Sequence, residues 1–272
     1  MRVVTVNANG IRAAARRGAI PWLQQAGPDV LCLQEVRASD TELAKVLAEA
    51  GLGHWSVVHT EGDAKGRAGV AVASREPHAA TAVGLDGDFV DAGRWVEAVV
   101  TTEAGPVTVA STYVHTGEAG TDRQVVKYAF LDAMTRRLDR ASAGDELMVV
   151  TGDLNIAHRE ADLKNWKGNL RKSGFLPEER AYLDRWFDGD AWVDVQRRHV
   201  GDVAGPYSWW SWRGKAFDND SGWRIDYQLA TRPLAAVVTD AHVGRAPTYA
   251  ARWSDHAPVV VDYDLGLLST PS

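Results

Sequence analysis

Gly152-Asp153-Leu154-Asn155 directly follows the apolar run 147–151, so a carboxylate and an amide stand where a predicted strand ends. Polar groups are costly to bury at such a place unless they share a metal ion or a substrate. The same arrangement recurs at Asn7 after 3–6, at Glu35 after 30–34, at Tyr113 after 107–112, and at Asp226 and Asp255-His256, which open apolar runs. The recurrence predicts a hydrolytic metal site.

Chain direction sharpens this prediction. Most of these polar residues end a run, whereas Asp226 and Asp255-His256 open theirs, the latter before Ala257-Pro258-Val259-Val260-Val261. If all of them meet at one edge, the last two strands must run opposite to the others. The site therefore implies a mixed sheet.

The spacing of apolar residues predicts strands and helices along the whole chain. The predicted strands are 2–6, 30–33, 55–59, 69–74, 94–102, 106–113, 147–151, 192–195, 207–212, 225–230, 236–243 and 257–263. The predicted helices are 12–26, 40–50, 121–140 and 178–187. Two strand-rich halves, each with helices, favour an α/β fold in which two mixed β-sheets pack face to face with helices outside, a four-layer α-β-β-α sandwich.

Composition indicates one globular unit. The chain has 272 residues, and its 45% hydrophobic content is spread without a linker-like break, so we expect a single domain over 1–265 and a short tail over 266–272. Cys32 is the single cysteine and lies in an apolar run, which predicts a buried packing residue in a reducing compartment. No uncharged stretch is long enough to cross a bilayer and no signal-like segment opens the chain. We expect a cytoplasmic monomer without membrane contact.

The motifs together resemble one enzyme family. They are Asn7-Ala8-Asn9-Gly10-Ile11-Arg12, Leu33-Gln34-Glu35, Gly152 to His158, Asp162-Leu163-Lys164-Asn165, Gly222 to Tyr227 and Ser254-Asp255-His256. In this order, from near residue 2 to near residue 263, they resemble the exonuclease III family of apurinic/apyrimidinic endonucleases of the bacterial type. The resemblance implies the same four-layer fold. It also implies a DNA repair enzyme that hydrolyses the phosphodiester 5′ to abasic sites in double-stranded DNA, with 3′→5′ exonuclease and 3′-end-cleaning activity.

The residue types favour a hard cation at this site. Phosphodiester hydrolysis needs cations to offset phosphate charge, and oxygen ligands without a Cys/His cluster suit Mg²⁺, with Mn²⁺ as a substitute. Glu35 and Asp255, with Asn7 nearby, are the predicted metal ligands, and Asp153, Asn155 and His256 complete the set. Taken singly, a carboxylate at a strand end is a cap or a surface charge.

The resemblance also implies catalytic roles. Asp153 is the base that acts on the water and Asn155 is its companion, and the two would project to one side if the segment stays extended. His256 contacts the scissile phosphate, and Asp226 holds its ring through the other nitrogen. Tyr113 offers its hydroxyl to the phosphate. The alternatives are a buried structural His–Asp pair and an ordinary strand aromatic.

The predicted substrate contacts are aromatic and basic. By resemblance, Trp209 and Trp223 line a pocket for a sugar without its base, whereas Trp210 is expected in the core. Basic residues cluster at Arg12, Arg16 and Arg17 and again at Lys164, Lys167, Arg171 and Lys172, where phosphate contact competes with a solvated helix face. The net charge of −6 argues mildly against nucleic acid as a partner, but net charge is a poor guide when part of it comes from carboxylates that bind cations. Lys164 and Asn165 are expected to contact substrate.

The sequence departs from the family at two places. Many relatives continue after the tyrosine with proline and asparagine, where this chain has His115 and Thr116. A frequent aromatic is replaced by Arg67, which we expect to contact backbone phosphate. The expected partner is double-stranded DNA with abasic sites or blocked 3′ ends, met at the nucleoid. The alternatives are a 3′→5′ exodeoxyribonuclease with weak abasic activity, an enzyme on phospholipids, inositol phosphates or undamaged DNA, and a non-catalytic DNA-binding relative.

Overall fold

The computed structural model describes residues 1–64, 66–85 and 87–268. The strands are β1 Arg2–Asn7, β2 Val30–Gln34, β3 Ser56–Thr60, β4 Val70–Ser74, β5 Ala80–Val83, β6 Trp95–Thr102, β7 Gly105–Tyr113, β8 Met148–Asp153, β9 Trp192–Asp194, β10 Asp226–Thr231, β11 Val238–Val243 and β12 Val259–Tyr263. The helices are α1 Ile11–Arg16, α2 Ala19–Ala26, α3 Asp40–Glu49, α4 Asp122–Ala143, α5 Pro177–Phe187, α6 Val195–Val200 and α7 Arg232–Ala235. Short 3-10 helices occupy Val90–Ala92, Glu160–Asp162, Trp166–Asn169 and Tyr249–Ala251.

The strands form two six-stranded sheets. Their orders are β11-β12-β1-β2-β4-β3 and β5-β6-β7-β8-β10-β9. In the first sheet β1 is parallel to β2 and antiparallel to β12, and in the second β8 is parallel to β7 and antiparallel to β10. Both sheets are mixed, and the two strands that carry the late motifs run opposite to their neighbours. The prediction from chain direction is confirmed.

Side-chain alternation divides each strand between two cores. In β1, Val3 packs between the sheets while Val4 and Val6 face α1, α2 and α3. In β8, Val149 packs between the sheets while Val150 faces α4 and α5. A strand buried on both faces reads as a continuous apolar run, because successive side chains point to opposite layers. The predicted four-layer α-β-β-α sandwich is confirmed.

Most element predictions agree with the structure, but the predicted helix 12–26 is wrong as a single helix. It breaks between α1 and α2 at Gly18, whose φ of 107° is a conformation that L side chains rarely adopt. Helix α3 begins where predicted, because Ser39 and Glu42 form a capping box. The exposed edge strand β5 and the short helices α6 and α7 were not predicted, since they carry little apolar periodicity.

The predicted strand 207–212 is also wrong. The amides of Ser208 and Trp210 donate to carbonyls of two different segments, Trp223 and Asp255, so no continuous ladder forms. Trp209 makes only isolated bridges. Trp210 of this segment lies in the core as predicted.

Other predictions concern the tail, the cysteine and membranes. Gly266 and Leu268 hydrogen-bond with Glu103 and Thr101, so the start of the predicted tail lies along the end of β6, whereas 269–272 lie outside the described residues. Cys32 is buried. In the part of the chain that the structure describes, no helix is both long and apolar enough to cross a membrane.

A buried ionic network ties the loop after β8 to the second sheet. The Arg224 guanidinium is fully buried and donates to the carboxylates of Asp162 and Asp194. Burial favours the neutral acid, but Arg224 and Arg197 outweigh it and lower the pKa of Asp162 to about 2. The motif 162–165 therefore begins with a structural residue.

Replacing Arg224 with Met should lower the free energy of unfolding by about 3–5 kcal/mol, because it leaves the buried Asp194 carboxylate without its guanidinium and leaves Asp162 with Arg197 as its remaining cation. Urea denaturation at pH 7 measures this. Arg185→Met is the matched control, since its pair with Asp139 is largely exposed and should contribute at most about 1 kcal/mol. Equal losses in the two variants would contradict the assignment.

Candidate active site

The inward-facing positions change from apolar to polar towards one end of the strands. In β1 and β8 they run Val3, Thr5, Asn7 and Val149, Thr151, Asp153. Asp226 pairs with Asp153 in the antiparallel register, and Tyr113 pairs with it in the parallel one. Strand register thus gathers Tyr113, Asp153 and Asp226 within the second sheet, and the packing of the two sheets brings Asn7 of β1 to the same place.

Polar contacts join the two sheets just below this place. Gln34 Nε2 donates to Thr5 Oγ1 at 3.0 Å within the first sheet and to Ser111 Oγ at 2.9 Å across to the second. Ser111 Oγ in turn donates to the Leu33 carbonyl at 3.0 Å. These fully buried contacts fix the spacing of the sheets where the site begins.

Asn7 bridges two carboxylates from different sheets. Its Nδ2 donates to Glu35 Oε1 and to Asp153 Oδ2, both at 2.9 Å, and its Oδ1 accepts from the Asn9 amide at 2.9 Å. Glu35 has a φ of 47°, a strained conformation of the kind found at functional sites, and Arg37 forms an ion pair with it. Two carboxylates therefore converge on one point.

Asp153 and Asn155 meet through a tight turn. The Asn155 amide donates to Asp153 Oδ1 at 2.8 Å, and its Nδ2 donates to Asp153 Oδ2 at 3.1 Å and to the Val114 carbonyl at 2.8 Å. Asn155 has a φ of 50°, so the segment is not extended, and the condition attached to the sequence prediction fails. The side chains meet because the chain turns back on itself.

His256 lies between two acids. Its Nδ1 is 2.9 Å from Asp226 Oδ2, and its Nε2 is 3.8 Å from Asp153 Oδ2. Ser208 Oγ donates to Asp226 at 2.6 Å and accepts from the Asp226 amide, which fixes that carboxylate. With Nδ1 held, Nε2 is the ring atom that is left to act on a reactant.

Asp255 lies beside this group on the first sheet's side. Asn9 Nδ2 donates to it at 2.8 Å and Trp209 Nε1 at 3.1 Å. Sequence reasoning missed Asn9, Ser208 and Arg37 as supporting residues. Asn9 lies inside a recognised motif and Ser208 lies next to Trp209, but only the tertiary contacts reveal what they hold.

Burial and crowded charge shift the pKa values of the site. Burial, with the charges of Asp226 and Glu35, raises the pKa of Asp153. Burial by itself would lower the pKa of His256, but the charges of Asp226 and Asp153 outweigh the effect of burial and raise that pKa. Burial raises the pKa of Asp255, yet His256 and the hydrogen bond from Asn9 lower it overall. Burial and the acids keep the Tyr113 hydroxyl protonated by raising its pKa.

The residues present suit a hard cation. Ligand atoms of Asp153, Asp226 and His256 all lie within 4.8 Å of one another, and Glu35 approaches the same place through Asn7. Oxygen donors of this kind are those that Mg²⁺ and Mn²⁺ take in proteins. Asp226 is absent from the set predicted from sequence, and its carboxylate is already engaged by His256 and Ser208.

Two partly exposed tryptophan rings adjoin His256 and together form the surface called the aromatic recess. Trp209 and Trp223 are half-buried, their rings meet edge to face with centroids 6.3 Å apart, and Trp209 lies 6.5 Å from His256. Paired backbone hydrogen bonds join the two residues. The Lys164 amide bonds to the Gly222 carbonyl, so the predicted contacts Lys164 and Asn165 are exposed at the rim of this recess.

A basic groove opens on the other side of the carboxylates. It has a volume of about 980 Å³, and its lining includes Glu35 and Tyr113. Arg67, Arg94 and Arg123 line it together with the acids Asp63 and Asp122. The Arg94 guanidinium lies over the Tyr113 ring at 5.3 Å. Arg12 is not brought here, since it pairs with Glu42 in a separate cleft between α1 and α3.

At pH 7 the metal-free Asp153→Asn variant should be more stable than the wild type by about 1 kcal/mol or more. Asparagine removes the cost of burying an ionisable acid, and each unit by which the pKa of that acid is raised corresponds to about 1.4 kcal/mol. The folded-state pKa of Asp153 is raised, so folding is favoured while the acid is protonated, and that contribution is lost as pH rises above the unfolded value of 3.8. Denaturation in EDTA at pH 4 and pH 7 measures this. Asp226→Asn is the control and should destabilise, because it removes the partner of His256.

Comparison with known proteins agrees with this geometry. Residues 4–256 match the model of the Endonuclease/Exonuclease/phosphatase family. The chain is 31% identical over 264 residues to an exodeoxyribonuclease of Bacillus subtilis, covering 95% of this chain and 98% of that protein.

Two solved structures are similar to the whole fold. An AP endonuclease from Archaeoglobus fulgidus has a TM-score of 0.85 and 28% identity, covering 97% of this chain and 99% of that one. A 3′ phosphatase from Neisseria, solved with a product DNA hairpin, has a TM-score of 0.82 and 28% identity with the same coverage. These matches confirm the resemblance carried by the motifs. The chain belongs to the endonuclease/exonuclease/phosphatase family.

Proposed function

We propose that the protein is a Mg²⁺-dependent DNA repair endonuclease that hydrolyses the phosphodiester 5′ to abasic sites in double-stranded DNA, with 3′→5′ exonuclease and 3′-end-cleaning activity. The observation that carries the proposal is the convergence of Glu35, Asp153 and the His256–Asp226 pair beside an aromatic recess. The relatives named above include an exodeoxyribonuclease, an AP endonuclease and a 3′ phosphatase, which supports this reaction class.

Glu35 and Asp255 are the proposed metal ligands, with Asn7 beside them. The support is the shared approach of Glu35 and Asp153 to Asn7 Nδ2, and the lowered pKa of Asp255, which keeps it ionised. Asp153 and Asn155 adjoin the same place, whereas His256, whose raised pKa keeps it protonated, is proposed to contact the phosphate rather than the metal. When bound, Mg²⁺ would offset the charge of the phosphate and of the leaving oxygen.

The proposed hydrolytic roles follow from which of these groups carry a proton. Asp153 accepts the proton of the attacking water, since its raised pKa makes it a stronger base than an exposed aspartate. His256 is held as a cation through Nδ1, so Nε2 donates to a phosphate oxygen. Tyr113 stays protonated and donates its hydroxyl. Asn155 holds Asp153 through two hydrogen bonds.

The recess at Trp209 and Trp223 is proposed to take the sugar of an abasic nucleotide. A sugar without a base is cheap to turn out of the duplex, and aromatic edges suit its apolar face. Lys164 and Asn165 at the rim are proposed to contact the adjoining backbone. An intact base needs costly unstacking before it can enter.

The basic groove is proposed to carry the flanking DNA backbone. Arg94 has a buried Nη1 without a hydrogen-bond partner among the described residues, and burial lowers its pKa although the charges of Asp63 and Glu35 act against this. Arg67 and Arg123 extend the charge outward. Phosphate oxygens are the natural partners of such guanidinium groups. Arg12, in its own cleft, would meet a more distant phosphate.

We further propose that the protein acts as a cytoplasmic monomer.

The second candidate is a 3′→5′ exodeoxyribonuclease with weak abasic activity. The Bacillus relative bears that name, and the same hydrolytic groups serve both reactions. A non-catalytic DNA-binding role is disfavoured, because the carboxylates and His256 remain in hydrogen-bonded order. Incubation with a duplex that carries one abasic analogue, with and without Mg²⁺, separates these possibilities.

Cleavage of that duplex should stop in EDTA and return with Mg²⁺. Glu35→Ala should raise the Mg²⁺ concentration for half-maximal rate by about tenfold or more, because a ligand has been lost. Titration of the initial rate with Mg²⁺ measures this. Glu178→Ala, which removes an exposed acid from α5, should leave the titration unchanged. Cleavage that survives EDTA would refute the metal assignment.

Trp223→Ala should reduce abasic incision about 5- to 100-fold, by analogy with stacking contacts of roughly 1–3 kcal/mol. Trimming of undamaged 3′ ends should fall less, since the hydrolytic groups remain. The measured quantity is the ratio of the two rates at one salt concentration. Trp55→Ala is the control, because Trp55 is half-buried just before β3 and packs on the core between the first sheet and its helices. An unchanged ratio in Trp223→Ala would mean that Trp223 only packs within the fold and does not contact the abasic sugar.

A further inference from the structure

A second buried ion pair lies behind the site, between α4 and α5. Lys127 Nζ is 2.7 Å from Glu179 Oε1, and both side chains are 0% exposed. The hydrolytic roles above use neither residue. A buried ion pair is weak as a source of stability, because desolvation offsets most of its attraction. Its remaining hydrogen bonds therefore reveal what it does.

Most of those hydrogen bonds go to loops of the site, and the exception is Gln124 Nε2 of α4, which donates to Glu179 Oε1 at 2.9 Å. Lys127 Nζ donates to the Asn155 carbonyl at 2.9 Å and to the Thr116 carbonyl at 3.1 Å, which uses its remaining donors. Glu179 Oε2 accepts from the amides of Gly174 at 2.6 Å and Leu176 at 3.1 Å. One ion pair thus holds three loops.

The loops held in this way connect the two parts of the site, which are the hydrolytic groups around Asp153 and the aromatic recess. Asn155 is in a left-handed conformation and directs two donors at Asp153. Gly174 lies between Asn155 and the aromatic recess, since a Cβ built on it would stand 3.2 Å from the Asn155 carbonyl oxygen and 3.2 Å from Trp223 Cζ3. The Ala157 amide also donates to the Gly174 carbonyl at 2.8 Å.

We propose that the buried Lys127–Glu179 pair is a positioning device that sets Asn155 relative to Trp223, and so aligns the hydrolytic groups with the aromatic recess. Lys127 fixes the Asn155 side of this contact, and Glu179 fixes the Gly174 side. The inference rests on the proposed function for the meaning of the two parts, whereas the positioning itself can be measured without any reaction.

The test is the double variant Lys127→Met/Glu179→Gln. It removes both charges with little change of shape, so no lone charge stays buried and the fold should persist. The bonds from Lys127 to the Asn155 and Thr116 carbonyls are lost. We expect kcat on the abasic duplex to fall about tenfold or more, because small misplacement of reacting groups is costly, while KM changes little.

The matched control lies on the same helix. Arg137 of α4 pairs with Glu97 and is largely buried, but its contacts are away from the site. Arg137→Met/Glu97→Gln should alter the thermal midpoint without changing kcat. A purely structural role for Lys127 and Glu179 predicts the same behaviour for both double variants, and that result would overturn the proposal.

Amide hydrogen exchange supplies a readout independent of activity. In Lys127→Met/Glu179→Gln the amides of Asn155 and Ala157 should exchange faster, while those of β1 and β8 stay protected. Unchanged exchange at these amides would overturn the positioning role even if the enzyme were inactive on abasic DNA.

A wild-type protein that cleaves no abasic duplex refutes the proposed function alone. If the double variant Lys127→Met/Glu179→Gln does not fold, Lys127→Gln/Glu179→Gln, which also leaves no lone buried charge, provides the kcat test, and a wild-type kcat there overturns the proposal.

Discussion

The carboxylate of Asp153 is buried between two sheets, and the architecture of the site is the means by which this group is tolerated. It accepts hydrogen bonds from Asn7 on one side and Asn155 on the other, and the His256 ring faces it. Burying such a group without partners is prohibitively costly. Each partner comes from a different part of the chain, so their arrangement depends on the packing of both sheets.

The two sheets contribute unlike parts. The first supplies Asn7 and Glu35, and the segment leading into its strand β12 supplies Asp255 and His256. The second supplies Tyr113, Asp153 and Asp226 at adjacent register positions. Gln34 and Ser111 join the sheets directly below. Like charges held this close oppose folding, and the long apolar contact between the sheets outweighs that opposition.

The surroundings divide the surface by chemistry. An aromatic recess lies on the His256 side, and an arginine-lined groove lies on the Glu35 side. This division explains why a net charge of −6 is compatible with a polyanionic substrate: the acids concentrate where a cation is proposed to bind, and the arginines lie along the groove. The Lys127–Glu179 pair links the loops between these regions.

The sequence by itself determined the sandwich, the opposite direction of the last strands and the residues that gather at one end. Strand periodicity is local, and the position of a polar residue at a strand end follows from register once the sheets form. It did not determine the left-handed turn at Asn155, the break at Gly18 or the irregular path of 207–212, because these depend on hydrogen bonds between distant segments. Nor did it reveal Ser208, Asn9 or the Lys127–Glu179 pair, whose partners lie far away in sequence or carry no pattern of their own. Tertiary structure decided these features because satisfying a buried polar group is a property of its surroundings in space rather than of its neighbours along the chain.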